Sequence, residues 1–254
     1  MCFAGKGGVG KSTSVILFLK YLNSQYPNAK KMVIDADPDA NILDILNKPV
    51  SFYETIGGKI ATLHKQLERK AIPPNTSEKS LIENIIFQSI IKFDKFDLIV
   101  MGRREGEGCY CSVNNVLKNT INIFGDIYDI IIIDSPAGLE FFARKTSTNV
   151  DDLIIVVDGS KMSFHTVQRL MNIKKEVSLN FNKVWVLVNK FSLENKEPFL
   201  ERIKEFSNGE AELLGFLGRD TIIQEYNLME KSLLDLPEDN SLYQDFKSFA
   251  PKIL

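Results

Sequence analysis

Gly5-Lys6-Gly7-Gly8-Val9-Gly10-Lys11-Ser12, directly after Met1–Ala4, decides how the rest of the chain is read. The spacing is G-x-x-x-x-G-K-[ST], the phosphate-binding loop. Its glycines let the backbone turn with N–H groups facing inward. Those donors, with the N-terminus of the next helix, cradle a polyphosphate. Lys11 is placed to reach the β- and γ-phosphates and Ser12 to ligate Mg²⁺, and Thr13 extends the nucleotide-binding set into the helix. Val15, Ile16, Leu17, Phe18, Leu19 and Leu22 follow as an apolar helix. That context sets the loop apart from a chance Gly/Lys-rich surface turn.

The 254 residues suffice for one large α/β domain, 1–254, with a full core. Hydrophobic residues make up 44% and charged residues 25%, the balance of a soluble globular protein. A net charge of −2 gives no global attraction to nucleic acid or to a membrane surface. No apolar run approaches the ~20 residues that span a bilayer. The start lacks the basic and apolar regions of a secretory signal. A cytoplasmic protein with reduced thiols is expected. Of the cysteines Cys2, Cys109 and Cys111, Cys2 lies in the first strand and reads as a small buried hydrophobe. Only three residues precede Ala4, short for a strand feeding such a loop. A first strand clipped at its start, or a start codon assigned late, is the expectation.

Apolar runs at Met32–Ile34, Leu98–Met101, Ile130–Ile133, Leu153–Val157, Val184–Val188 and Leu213–Leu217 read as buried strands. They are near-continuous, as in a parallel sheet covered on both faces. Helical patterns separate them at Ser12–Tyr26, Ser80–Lys92, Ser112–Phe124, Glu140–Thr146, Ser163–Val177, Lys196–Phe206 and Thr221–Lys231. The alternation predicts a doubly wound α/β fold with a mostly parallel sheet of about seven strands. Asn47–Pro74 is amphipathic, with Ile60, Leu63, Leu67 and Ala71 at helical spacing, and is expected to pack on the flank. Pro73–Ser77 reads as a loop.

Strand two ends in Asp35-Ala36-Asp37-Pro38-Asp39-Ala40-Asn41. Carboxylates at the C-terminal end of a parallel strand face the ligand crevice, where they can hold Mg²⁺ through water and orient an attacking water. Ile130–Ile133 followed by Asp134 has the form of a Walker B strand. Asp134 would bind the Mg²⁺ water shell, and Gly138 would meet the γ-phosphate. Val188-Asn189-Lys190 ends another strand, and an asparagine amide can pair with a base edge.

Gly106-Glu107-Gly108-Cys109-Tyr110-Cys111 carries two thiols at i and i+2, after a strand and before a helix opening at Ser112. A helix N-terminus stabilises thiolate. Two thiolates are too few for a closed tetrahedral or square-planar site, but a two-fold dimer would bring four together. A local disulfide at this spacing is strained, and a Gly-rich loop makes a poor core.

A lysine at the second loop position, Lys6, resembles the deviant Walker A of the ParA, MinD and nitrogenase iron protein class. The resemblance implies that Lys6 crosses a dimer interface to the partner's nucleotide. D-x-D-P-x-x-N at Asp35–Asn41 resembles switch I of that class, and Asp37 falls at the water-activating aspartate. Asp134–Glu140, DSPAGLE, looks like the MinD group, and Asn189 with Lys190 matches the adenine-contacting position. Met101-Gly102-Arg103, Gly108 through Asn115, Ala137–Glu140 and Asp158–Lys161 resemble the CooC-type ATPases that mature nickel carbon monoxide dehydrogenase, with relatives serving acetyl-CoA synthase. This resemblance covers nearly the whole chain. It implies an ATP-driven homodimer, with ATP, ADP and Mg²⁺, holding Ni²⁺ (or Zn²⁺) on Cys109 and Cys111 of both protomers, and a client nickel enzyme. Arg104 and Glu107 stand where proline is common in that family, and Phe141 where many members have histidine.

Other members of the class set the alternatives. Nitrogenase iron proteins take a second cysteine just after Walker B, and no cysteine follows Cys111 here, although Cys109 and Cys111 of two chains could still hold iron. A MinD-like membrane organiser needs a basic amphipathic C-terminal helix. The tail Asn240–Leu254 has Lys247 and Lys252 but also Asp245 and Pro251. A ParA-like DNA segregator needs a basic surface. His64 and His165 read as surface and structural residues respectively.

Overall fold

The computed structural model describes residues 1–69, 77–103, 111–136, 150–176, 181–191 and 196–254, with 78 and 111–115 described by backbone alone. The described residues form an eight-stranded sheet in the order β3-β4-β2-β5-β1-β6-β7-β8. The strands are β1 Cys2–Gly5, β2 Lys31–Asp35, β3 Ile91–Lys92, β4 Asp97–Val100, β5 Ile130–Asp134, β6 Asp152–Val157, β7 Lys183–Phe191 and β8 Glu212–Gly218. All pairings are parallel except β3 with β4. The helices are α1 Lys11–Gln25, α2 Asn41–Ile45, α3 Ile56–Glu68, α4 Glu78–Gln88, α5 Cys111–Phe124, α6 Lys161–Glu176, α7 Glu197–Phe206, α8 Ile222–Leu228 and α9 Ser241–Phe249.

The near-continuous apolar strands divide by the two-residue period into two cores. Phe3, Val33, Leu98, Ile132, Ile154 and Trp185 pack with Phe18 of α1 and with Tyr243 and Phe246 of α9. Their neighbours Ala4, Ile34, Ile99, Ile133, Ile155 and Val186 face the opposite layer, with Ile60 of α3, Leu117 of α5 and Phe164 of α6. Cys2 is buried in that second layer, as a small hydrophobe should be. Lys31 is buried at the start of β2, where its ammonium donates to Tyr26 O at 2.7 Å and Ala29 O at 2.9 Å. These bonds tie down the turn that follows α1, satisfying carbonyls a helix end leaves open.

The segment read as one helix over 80–92 is two elements. Ser89 ends α4 by donating its N–H and hydroxyl to Ile85 O, at 3.0 and 2.7 Å. Ile91–Lys92 then pairs antiparallel with β4, and the Phe93 and Phe96 rings stack with centroids 4.4 Å apart. This short hairpin raises the strand number from about seven to eight. The helix expected over Glu140–Thr146 lies outside the described residues. In the flanking segment, α3 starts at a Thr55 cap that accepts from Gly58 N at 3.2 Å. Ile60 is buried and Leu63 half-buried, while Leu67 is 46% exposed, so the amphipathic stripe is only partly used. His64 is exposed and His165 packs edge-on against Phe206, with centroids 5.5 Å apart. Among the described residues no helix is long and apolar enough to cross a membrane.

α3 braces the exit of β4. Gly57 N–H donates to Met101 O at 2.8 Å. A Cβ at Gly57 would lie 2.4 Å from the Arg103 carbonyl oxygen, where only backbone movement gives relief. Gly57→Ala should therefore destabilise the protein by ~1–3 kcal/mol. A lower urea midpoint at unchanged slope would show it, and an unchanged midpoint would contradict the tight contact.

Candidate nucleotide-binding site

The phosphate-binding loop joins β1 to α1 at the C-terminal edge of the parallel sheet, where ligands of such sheets bind. Gly8 and Gly10 take left-handed φ angles of 78° and 95°. Gly10 is the N-cap of α1, with no side-chain cap and no acidic residue in the first turn. The helix therefore keeps its first N–H groups and its positive end for an anion.

The loop is held from β7. Asn189 Nδ2 donates to Val9 O at 2.8 Å, and Lys190 Nζ donates to Gly8 O at 2.6 Å. Asn189 Oδ1 accepts the Lys190 N–H at 2.8 Å. A Cβ at Gly10 would stand 2.2 Å from Asn189 Nδ2, so glycine is required there for packing as well as for its φ. The Asn189 amide, expected at a base edge, thus braces the loop through Nδ2, while its Oδ1 is taken by the neighbouring Lys190 N–H. Lys11 is buried and donates to Lys6 O at 3.4 Å, while the Lys6 side chain is exposed.

Three carboxylates gather beneath and beside the loop. Asp134 ends β5 in register with Asp35 on β2 and, on its other side, with Phe3 on β1. Asp134 is fully buried, and neither carboxylate oxygen has a hydrogen-bond partner among the described residues. Burial pushes its carboxyl up to about 6, opposed by the Ser12 side chain and the Lys11 charge and reinforced by Asp37. Asp35 is raised well above the usual carboxylate range, first by burial and then by Asp134. Asp37 stands at the rim of a cavity of about 930 Å³. Asp39 beside it forms an ion pair with Arg103 at the exit of β4. At the end of β6, burial would raise Asp158. Hydrogen bonds from Ser163 and Ser160, and the nearby Lys6 charge, hold it below the usual range instead.

The cavity brings together Gly7, Gly8, Gly10, Lys11, Ser12, Thr13, Asp37, Asn189 and Lys190, which the sequence singles out in three separate stretches. Its far wall was not anticipated. It consists of Asn41 and Asp44 of α2, Gly218-Arg219-Asp220 after β8, and Gln224 and Asn227 of α8. The signal for Gly218–Asp220 was present, because these polar residues follow a predicted parallel strand. Gly138 and Cys109 lie outside the described residues, and Cys111 is described only as the first residue of α5. Among the described residues no group of three or more His, Cys, Asp or Glu is arranged to hold a metal by itself. The unpartnered Asp134 beside Ser12 suits Mg²⁺, which is commonly held by one or two carboxylates together with phosphate oxygens and water.

Asp134 binds its proton more tightly in the folded chain than in the unfolded one, since about 6 lies above the ordinary 3.8. The stability this brings is full below about pH 4 and is lost as pH rises through about 6. Metal-free, nucleotide-free protein should therefore lose stability over that window. Asp134→Asn should flatten the decline and raise the melting temperature at pH 7 by at least ~2 °C, reflecting removal of an unpaired buried charge. A lower melting temperature for this variant in chelator would contradict the unpartnered carboxylate.

Comparison with known proteins agrees with this geometry. Residues 2–186 match the AAA_31 family, described as an AAA domain. The ATP-binding protein MJ0685 of Methanocaldococcus jannaschii is 36% identical over 251 residues, covering 99% of this chain and 96% of its own. The carbon monoxide dehydrogenase accessory protein CooC of Rhodospirillum rubrum is 27% identical, over 91% of this chain and 88% of its own. The crystal structure of a ParA family ATPase from Chlorobium tepidum superposes with a TM-score of 0.70 at 18% identity, covering 98% of each chain. The chain belongs to the AAA_31 family of AAA-domain proteins and is a P-loop ATPase that shares its fold with ParA and MinD structures.

Proposed function

We propose that this ATPase is a nucleotide-gated homodimer that carries Ni²⁺ on Cys109 and Cys111 of both protomers and serves the maturation of a nickel carbon monoxide dehydrogenase or acetyl-CoA synthase. The observation that carries the reading is the Cys109-Tyr110-Cys111 sequence between β4 and α5. β4 ends beside β2 and Asp35, on the edge of the sheet that holds the nucleotide cavity. The similarity to CooC over most of both chains supports the same client class. Thiolate softness also admits Zn²⁺ or iron at such a pair.

The hydrolysis itself is positioning and charge neutralisation. The loop N–H groups and the start of α1 hold the phosphates, and Lys11 neutralises β- and γ-oxygens. Ser12, with Asp134 and Asp37 acting through water, would hold Mg²⁺, which neutralises charge on the phosphate oxygens when bound. Asp37 at the cavity rim orients the attacking water. Water forms a bond to the γ-phosphorus as the bond to the β,γ-bridging oxygen breaks, leaving ADP and phosphate. Lys6 reaches the partner's nucleotide when two protomers meet.

The fold alone would also suit an organiser of the MinD or ParA kind. A membrane-binding version would need a free apolar helix face, whereas Leu242, Tyr243, Phe246 and Phe249 of α9 are buried in the core.

Metal analysis of anaerobically prepared protein tests the proposal. One nickel per dimer is expected, abolished by Cys109→Ser or Cys111→Ser with nucleotide binding retained. One tight metal per monomer in a monomeric sample would rule out the shared site, and stoichiometric iron would select a reductase of the nitrogenase iron protein kind. Lys6→Ala should bind ADP normally yet fail to dimerise with ATP in sedimentation. An unaltered dimer would remove the cross-interface role.

A further inference from the structure

Asp35 is a buried carboxylate for which the hydrolysis described above has no use. Its backbone is fixed from both sides of β2. Met101 N–H donates to its carbonyl at 2.8 Å, and the next residue, Ala36, donates to Asp134 O at 2.9 Å. One Asp35 carboxylate oxygen accepts the N–H of Asp37 at 3.1 Å, and the other accepts the N–H of Ile42 at 3.1 Å. The side chain thus closes residues 37–42 back onto the strand end. Inside that closed segment Asp37 Oδ1 accepts the Asp39 N–H at 3.0 Å, and Ala40 takes a left-handed φ of 53°.

A plain helix cap explains half of this. A serine or asparagine oxygen would satisfy the Ile42 amide at the start of α2, as at many helix N-termini, without burying a second carboxyl group beside Asp134. The second bond goes to the amide of Asp37 itself. Two amides are met here by two separate oxygens of one side chain, which a carboxyl group supplies and a serine or asparagine does not. The arrangement commits a fully buried carboxyl group to the backbone of a residue that lines the cavity. Placement at that rim matters, because a misplacement of about 1 Å can cost ~10²-fold in rate.

We infer that Asp35 is a positioning residue for ATP hydrolysis, setting where the Asp37 carboxylate stands by holding the amides of Asp37 and Ile42. In that role it acts through Asp37 and not directly on phosphate or the attacking water. The inference rests on the reading of Asp37 as the group that orients water.

The experiment compares wild type, Asp35→Asn and Asp37→Asn for ATP turnover, KM and ADP affinity. Asp35→Asn keeps the shape but turns a donor toward one of the two amides. Its kcat should fall at least about tenfold, with KM and ADP Kd within about twofold of wild type. Amide hydrogen exchange should quicken at Asp37 and Ile42 and stay unchanged at Gly10–Thr13. Asp35→Ser, which can accept one of the bonds, takes its place if Asp35→Asn does not fold. Wild-type kcat in the Asp35 variant beside an inactive Asp37→Asn would overturn the Asp35 inference alone. Wild-type turnover in Asp37→Asn would overturn the reading of Asp37 and the inference with it. ADP affinity lost in step with turnover would reduce Asp35 to a general structural role.

Discussion

Parallel pairing at the centre of the sheet is the constraint on which everything else rests. β2, β5, β1 and β6 lie side by side, with Asp35 opposite Asp134, Phe3 opposite Asp134 and Gly5 opposite Val156. Parallel strands end at one edge, so the phosphate-binding loop, the switch segment after Asp35 and the Asp158 turn all open on the same side. The same register that builds two apolar cores also brings Asp35 and Asp134 together in the buried interior. Gly5 at the end of β1 answers to this crowding. A Cβ there would stand 2.4 Å from the Val156 carbonyl oxygen.

The loop's conformation is supported from a strand two places away. A phosphate cradle must point its N–H groups inward, which leaves its carbonyls facing the other way in need of donors. Asn189 and Lys190 supply them at Val9 and Gly8, and Lys190 itself adopts a left-handed φ of 57°. The end of β7 is therefore part of the phosphate site's scaffold as well as its wall. A substrate base approaching Asn189 would meet an amide already engaged with the loop.

The site holds destabilising features that the cores on either side over-determine. Asp134 has no partner for either oxygen, and the N-terminus of α1 has no side-chain cap. Each costs free energy in the isolated fold, and each is what a magnesium–phosphate ligand would satisfy. By contrast Asp158, at the same edge, is satisfied by Ser160 and Ser163 and has a lowered carboxyl. Of the two aspartates, Asp134 is buried with neither oxygen hydrogen-bonded among the described residues, and Asp158 is satisfied by its own turn.

Local sequence determined the phosphate loop, the parallel α/β class and the carboxylates at strand ends. In each case the cause is short-ranged. Glycine spacing sets backbone freedom, and unbroken Val, Ile and Leu runs can be buried only on both faces. The β3 hairpin escaped the reading because Ile91–Lys92 continues a helical apolar pattern. The Ser89 stop and the Phe93–Phe96 stack act only once β4 lies alongside. The surroundings of each carboxylate were equally beyond the sequence. Asp35 and Asp37 are two residues apart in one motif, yet strand register buries the first against backbone amides and leaves the second at the cavity rim. The far wall from Gly218 to Asn227, and the bracing of the loop by Asn189, join residues about 180 or more apart. Only the closed sheet brings such residues within reach, because their contacts depend on strand order, which no local pattern encodes.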